Sequence, residues 1–160
     1  MTDNKIYLLA ILAIFGLTAC AIQHSDSPEG QAKLPSNTIM IRYTVSKEGV
    51  IFDSRTGLEW FAGPDQDTNW DMARNWTAGL AVAGGGWRMP SRAELKALHE
   101  KGMGKRNIDP KFKMTGLYVW SGEPTDSFSA WIFDFSDGEE LWDFRIYGFD
   151  IRALAVRSRR

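Results

Sequence analysis

The chain has 160 residues with 19 Lys and Arg against 20 Asp and Glu, so its formal net charge is −1. That length suits one domain plus a short extension, and the balanced charge argues against a nucleic-acid binder, which usually carries a basic face. Cys20 is the only cysteine, which excludes an intramolecular disulfide and a cysteine zinc cluster.

The first segment has the features of a secretory signal. An uncharged apolar run over residues 6–19 follows Lys5 and ends in Leu17-Thr18-Ala19-Cys20. This ending resembles the bacterial lipoprotein lipobox, so we expect cleavage before Cys20, a diacylglyceryl group on its thiol and acylation of its amine. An uncleaved membrane helix is the alternative, because the uncharged stretch continues to Ser25. Both interpretations tether the protein to a membrane.

The residues after Cys20 predict the destination and a linker. Ala21 stands where Asp would be the inner-membrane retention signal of enteric-type bacteria, so we expect an outer-membrane lipoprotein of the bacterial envelope. Up to residue 37 the chain is polar, contains Pro and Gly and shows no apolar period. The predicted organisation is a signal peptide (1–19), the lipidated Cys with a flexible linker (20–37) and one domain (38–158).

The domain begins with a pattern typical of strands. Ile39, Ile41 and Tyr43 alternate with Met40, Arg42 and Thr44, which predicts a strand. Turn residues then separate two further short strands, over 50–52 and 58–61.

Two helices are predicted next. Thr68 or Asn69 can cap a helix from Trp70 to about Ala81. Ser91 and Glu94 form an S-x-x-E capping box, which predicts a second helix over about 92–100 with Leu95 and Leu98 on its apolar face.

The last third of the domain has a strand pattern. Apolar runs cover 117–120 and 130–135, Asp137-Gly138 is a hairpin turn, and the chain returns over 140–146. A closing strand is predicted over 151–157, with Arg152 and Arg157 on opposite faces. Strands, two helices and strands again make an α+β domain, with the helices packed on antiparallel hairpins and no disulfide.

The order of these motifs resembles one family, the Lcl C-terminal domain family, catalogued as a domain of unknown function. The T-G-L-x-W and G-W-R-x-P-[ST]-x-x-E-L pieces are specific together. The residues that carry the resemblance are 42–44, 49–53, 56–60, 70–73, 86–91 with 94–95, 120–121, 130–138 and 155–157.

The resemblance implies a C-type-lectin-like fold. The member that gives the family its name is a bacterial surface adhesin whose terminal domain binds sulfated glycans. The collagen-like stalk of that adhesin has no counterpart here, because the chain has no Gly-X-Y repeat.

Aromatic residues are the first candidates for ligand binding. Trp60, Trp76, Trp87 and Trp131 lie in the most strongly patterned segments and are assigned to the core. Trp142 is the best candidate for exposure, because Asp143 and Arg145 are near it on a late hairpin, and Tyr147 follows.

Cationic residues form the second group of candidates. Arg145 and Arg152 could act on sulfates or carboxylates through charge-assisted hydrogen bonds. The alternative is that the late arginines are solvated or pair with nearby acidic residues, namely Glu139, Glu140, Asp143 and Asp150. The sequence therefore gives a speculative ligand site of Trp142, Tyr147, Arg145 and Arg152.

Metal binding and catalysis have weaker signals. Residues 120–126, with Glu123 and Asp126, superficially resemble the calcium and sugar loop of C-type lectins, but Thr125 stands where that loop has Asn. The acidic region 134–140 fails the spacing of the calcium-loop pattern. Whether Glu123 and Asp126 bind calcium is left open. His99 is the sole histidine of the domain, and Glu94 is already assigned to the capping box. We predict no enzyme, no metal and no cofactor.

The sequence therefore predicts a lipid-anchored envelope protein with a non-catalytic recognition module, which would take anionic or sulfated glycans. The alternative is an envelope protein–protein interaction subunit, and an enzyme with an unrecognised site comes third. The expected partners are the membrane through the lipid anchor, and a glycan or an envelope protein, with no nucleic acid.

Overall fold

The computed structural model of the protein describes residues 41–159. The predicted signal peptide, Cys20 and the linker up to residue 37 lie outside the described residues. Within 41–159 the chain has eight strands, arranged in two sheets, and two α-helices. The predicted α+β class is therefore confirmed. No helix in this part of the chain is both long and apolar enough to cross a membrane.

The elements follow one another as predicted in type, and their bounds differ from the predicted ones by a few residues. In chain order they are β1 (Tyr43–Val45), β2 (Ile51–Asp53), β3 (Leu58–Ala62), α1 (Trp70–Gly79), α2 (Arg92–Leu98), β4 (Tyr118–Pro124), β5 (Ser129–Asp134), β6 (Glu140–Phe144), β7 (Ile151–Arg152) and β8 (Leu154–Ser158).

The strands form two four-stranded sheets. The first has the order β1-β2-β3-β8 and is antiparallel throughout. The second has the order β6-β5-β4-β7, and here β7 runs parallel to β4. The expectation of purely antiparallel hairpins is therefore wrong for β7, which returns after the β6–β7 loop in the direction of β4.

The predicted closing strand is divided between the two sheets. β7 joins the second sheet and β8 the first, with Ala153 between them; its carbonyl accepts a hydrogen bond from Gly63 N–H at 3.1 Å. Arg152 and Arg157 therefore belong to different strands, and both are buried. The prediction that they face opposite sides of one strand is wrong, because alternation does not continue through a change of sheet.

One strand expectation fails at the start of the domain. The strand β1 begins only at Tyr43, which is buried, and Ile41 precedes it and is 65% exposed. The alternation was therefore extended too far towards the amino terminus; Ile39 lies outside the described residues.

Both helices begin where the sequence placed them. The Asn69 side chain accepts a hydrogen bond from Met72 N–H at 2.9 Å, and the capping box of Ser91 and Glu94 is present in both directions. α1 ends at Gly79 and α2 at Leu98, each two residues earlier than predicted. Leu95 and Leu98 are buried, which confirms the apolar face of α2.

Tryptophans supply much of the core. Trp60 and Trp87 are buried as assigned, while Trp76 and Trp131 are only partly buried. Trp70 and Trp120 are buried as well, and their indole N–H groups donate to the carbonyls of Ser121 at 2.9 Å and Thr68 at 2.7 Å. These two bonds join the start of α1 to β4, so large aromatic side chains position the helix while their polar atoms remain satisfied.

Candidate functional site

The β5–β6 hairpin positions the candidate site at one edge of the second sheet. Its turn contains Gly138, whose φ of 87° favours glycine. β6 pairs with β5 in a register that sets Trp142 opposite Trp131 and Phe144 opposite Ser129. Because directly opposed residues share a face, these four side chains lie on the same side of the sheet.

Three aromatic side chains stand exposed on and just after β6. Trp142, Phe144 and Tyr147 are 56%, 45% and 54% exposed. The Trp142 and Phe144 ring centroids are 5.8 Å apart at 88°, and those of Phe144 and Tyr147 are 5.8 Å apart at 84°. We call these three residues the aromatic surface. The predicted exposure of Trp142 is confirmed.

A cavity of about 440 Å³ adjoins the aromatic surface. This volume lies within the usual range of small-molecule sites, about 300–1,000 Å³. We call it the hairpin cavity; its lining residues are Thr125, Asp126, Ser129, Trp131, Trp142 and Phe144. It therefore combines three aromatic side chains with three polar ones.

Asp126 is held rigidly at this cavity by its own turn. Its Oδ1 accepts hydrogen bonds from the backbone N–H groups of Phe128 at 2.7 Å and Ser129 at 2.9 Å. The Phe128 bond, with the bonds from Ser129, lowers the pKa of the Asp126 carboxyl below its ordinary value. The carboxyl is therefore ionised at neutral pH and fixed in orientation.

Trp131 forms one side of the hairpin cavity and carries a cation on its ring. The Arg92 guanidinium carbon lies 4.3 Å from the Trp131 ring centroid. Arg92 also pairs with Glu123 at 2.8 Å and Glu140 at 3.2 Å. A hydrogen bond from the backbone N–H of Arg92 to Glu123 lowers the pKa of the Glu123 carboxyl. The charge of Arg92 is thus balanced by two carboxylates.

Glu123 and Asp126, the two residues considered for calcium, have separate hydrogen-bond partners. Glu123 is engaged by the backbone and side chain of Arg92, whereas Asp126 binds its own turn. Between residues 41 and 159, no group of three or more His, Cys, Asp and Glu side chains is arranged to hold a metal ion.

Arg145 lies on the other side of β6 from the aromatic surface. Its guanidinium lies 4.0 Å from the centroid of Trp70 and donates to Asp71 at 2.5 Å and to the Ser127 carbonyl at 3.3 Å. Trp70 belongs to the core cluster that includes Ala130 and Ile132, which alternate with Trp131 along β5. Arg145 therefore connects the start of α1 to the β4–β5 turn through these contacts.

Arg152 is distant from the hairpin in its contacts and is already paired. It is 9% exposed and donates to Asp65 at 2.7 Å and Asp67 at 2.8 Å. Burial opposes ionisation of Asp65, but hydrogen bonds from Thr115 and Arg152 lower its pKa to about 2. This arginine joins the loop after β3 to β7, and we leave it out of the site.

The structure thus brings together two of the four residues that the sequence proposed for ligand binding, Trp142 and Tyr147. Sequence reasoning missed Phe144, although period-2 alternation from Trp142 places it on the same face. It also considered Asp126 only as a calcium ligand. The pairing that neutralises Arg152 spans more than 80 residues, and no local pattern indicates it.

A family model described as the Lcl C-terminal domain matches residues 49–157. The chain belongs to the Lcl C-terminal domain family. The resemblance drawn from the sequence motifs is therefore confirmed, and the match covers both sheets from β2 to the penultimate residue of β8. No curated protein matches the chain.

Within this Lcl C-terminal domain, two further residues have structural contacts. Arg88 forms a bidentate pair with Glu94 at 2.6 and 2.8 Å. His99 follows α2 and packs against Phe133 and Phe135, with centroid distances of 5.9 and 6.4 Å.

Proposed function

We propose that this Lcl C-terminal domain is a non-catalytic module that recognises a saccharide at the aromatic surface and the hairpin cavity. The observation that carries the proposal is the chain of three half-exposed rings beside a cavity with a fixed carboxylate. The C–H groups of a pyranose carry partial positive charge and pack on the negative face of an aromatic ring. The rim supplies Thr125, Asp126 and Ser129 for the hydroxyl groups of the sugar.

The geometry of the rings favours a short saccharide. Trp142 and Phe144 stand nearly perpendicular, as do Phe144 and Tyr147. Perpendicular neighbours offer one ring face beside a ring edge rather than a continuous flat platform. A single sugar unit, or a chain end, fits such a corner better than a long, straight polymer.

A protein partner is the second candidate, and a separate observation favours it. Phe128, Ile146 and Phe149 are 76%, 76% and 86% exposed in the loops that flank β5 and β6. Large apolar side chains with this exposure are typical of interaction surfaces when they are contiguous. In the bacterial envelope such a surface would dock another protein.

The contacts of His99 support a role without catalysis. A histidine acting as a general base would be expected beside a carboxylate in a cleft. His99 instead packs against Phe133 and Phe135 and lies close to Gly138. Glu123 and Glu140 are both paired with Arg92, whose guanidinium lies over Trp131.

The proposal includes the setting of the domain and the finer fold. We place it on a lipoprotein that is anchored through Cys20 in the bacterial envelope, at the outer membrane. We also propose the C-type-lectin-like fold, which is supported by the pairing of β8 with β3, because this brings the last strand into the sheet of the first three.

The test is saccharide binding by the purified protein and two variants. Trp142→Ala removes the best exposed face of the aromatic surface. Phe149→Ala is the matched control, since it removes an exposed aromatic that does not line the hairpin cavity. On a glycan array we expect the first variant to lose at least about tenfold in affinity, the equivalent of about 1.4 kcal/mol, and the control to match the unaltered protein. Equal binding by all three proteins, or no binding, would favour the protein-partner candidate.

A further inference from the structure

The charges around the hairpin cavity restrict the ligand class. Asp126 lines the cavity, and it forms no ion pair with any described residue. Arg92, a cation on the same face, lies over Trp131 and is already shared by Glu123 and Glu140. Lys96 is 3.8 Å from Glu140 and is drawn to that carboxylate too. The three carboxylates outnumber the two cations, and the unpaired charge is at the cavity itself.

Arg145 does not reverse this balance. It reaches the same turn from the opposite side of the hairpin, where it contacts the Ser127 carbonyl. Its charge is opposed by Asp71 at 2.5 Å, and its guanidinium lies over Trp70. A ligand on the aromatic surface therefore meets Asp126 without a free guanidinium beside it.

The hydrogen-bonding capacity of Asp126 points in the same direction. Oδ1 accepts from the backbone N–H groups of Phe128 and Ser129, and the Ser129 side chain is a third donor to this carboxyl. The two oxygens of a carboxylate can accept about four hydrogen bonds, so acceptor capacity remains. An ionised carboxylate only accepts hydrogen bonds, so its partner must be a donor. Sugar hydroxyls donate, whereas sulfates and carboxylates are themselves acceptors with negative charge.

We infer that the hairpin cavity selects uncharged saccharides and rejects sulfated or uronic ones, with Asp126 as the discriminating residue that accepts hydrogen bonds from sugar hydroxyls. This inference rests on the proposed function and narrows its ligand class. It departs from the anionic ligand that the sequence suggested, which depended on Arg145 and Arg152.

The experiment compares the binding of an uncharged saccharide with that of its sulfated form, in two such pairs. The full-length protein is titrated with lactose and 6′-sulfated lactose, and with dextran and dextran sulfate, at low salt. We expect the uncharged member of the pair that binds to be preferred by about tenfold or more, because a like charge placed against Asp126 is repelled. Salt screens this repulsion, so the preference should narrow as ionic strength rises.

Two variants test whether Asp126 causes the discrimination between uncharged and sulfated saccharides. Asp126→Asn keeps the side-chain oxygen that the turn needs and removes the charge, so we expect the discrimination to fall several-fold while the protein stays folded. Asp143→Asn is the matched control, because Asp143 pairs across the strands with Ala130 and faces away from the aromatic surface. It should leave the discrimination unchanged.

The outcomes distinguish a failure of the inferred charge selectivity from a failure of the proposed saccharide recognition. Tighter binding of the sulfated member, lost in Trp142→Ala, would keep saccharide recognition and overturn the inference. Discrimination unchanged in Asp126→Asn would overturn the role of that residue. Failure of both uncharged probes to bind, with circular dichroism showing a folded protein, would overturn the inference for these sugars, and an array without any Trp142-dependent binding would overturn the proposed function.

Discussion

Buried charge on single residues stabilises the start of the domain. The Asp53 side chain is fully buried and accepts from Arg42 at 2.9 and 3.0 Å, while Arg42 also binds Glu100 and the Ala97 carbonyl. Burial opposes ionisation of Asp53, but the hydrogen bonds from Arg42, Arg55 and Thr56 lower the pKa of the carboxyl below 3.8. This group connects the β1–β2 hairpin to the end of α2.

That arrangement predicts an acid-dependent loss of stability. Because the pKa of Asp53 is lower in the folded chain than in the unfolded one, its contribution is fully present above the unfolded value of 3.8 and lost as the pH falls towards the folded value. Asp53→Asn should cost about 3–5 kcal/mol at neutral pH. Urea unfolding at several pH values should show a smaller further loss in the variant below about pH 4. Parallel curves for both proteins would contradict the assignment.

Residue-level prediction from sequence succeeded where the cause was local. Trp142 was expected to be exposed because of its charged neighbours, and it is 56% exposed. Arg152 was misassigned because its partners, Asp65 and Asp67, lie in a loop that the fold alone brings close. Sequence alternation indicates a face of a strand, but not what covers that face.

At the scale of elements, α2 depends on its amino-terminal cap. Ser91 Oγ accepts from Glu94 N–H at 3.2 Å, and the Glu94 carboxylate accepts from Ser91 N–H at 2.8 Å. Ser91→Ala should lower the free energy of unfolding by about 1 kcal/mol. A thermal melt checks this, with Ser127→Ala in the exposed β4–β5 turn as a control of equal chemistry. Equal losses in the two variants would show that the cap is not the cause.

The change of sheet after β7 depends on a close approach of two backbones. A Cβ on Gly63 would lie 2.6 Å from the Ala153 carbonyl oxygen and 3.2 Å from Trp76. Gly63→Ala should therefore destabilise the domain by about 1–3 kcal/mol. Gly79→Ala is the matched control, because nothing lies within 4 Å of its added Cβ. Denaturant midpoints that agree for the two variants would exclude the close approach as a constraint.

The bounds of the elements were predicted most accurately where specific capping or turn residues mark them. Asn69, Ser91 and the Asp137-Gly138 turn placed the helix starts and the β5–β6 hairpin correctly. The split between β7 and β8 was missed, because the strand pattern continues from Ile151 through both strands and only their pairing partners differ. The parallel pairing of β7 with β4 likewise depends on tertiary structure, which the local sequence pattern does not indicate.

At the scale of the whole molecule, membrane attachment depends on Cys20. Cys20→Ala should leave an unprocessed precursor that no longer incorporates labelled palmitate, because the thiol that receives the lipid is absent. Ser25→Ala leaves the lipobox intact and serves as the control. Labelling that persists in Cys20→Ala would exclude the lipobox and leave the uncleaved-helix interpretation.

The central claim of the account is that a saccharide contacts the aromatic surface. The seven tryptophans give that claim a direct reporter, since each indole N–H has its own resonance in a ¹H–¹⁵N spectrum and single Trp→Phe variants assign it. On titration with the best array ligand, we expect the Trp142 and Trp131 signals to shift most, while those of the buried Trp60 and Trp120 stay in place. Largest shifts at Trp70 or Trp87, with Trp142 unmoved, would contradict the account and place the ligand elsewhere.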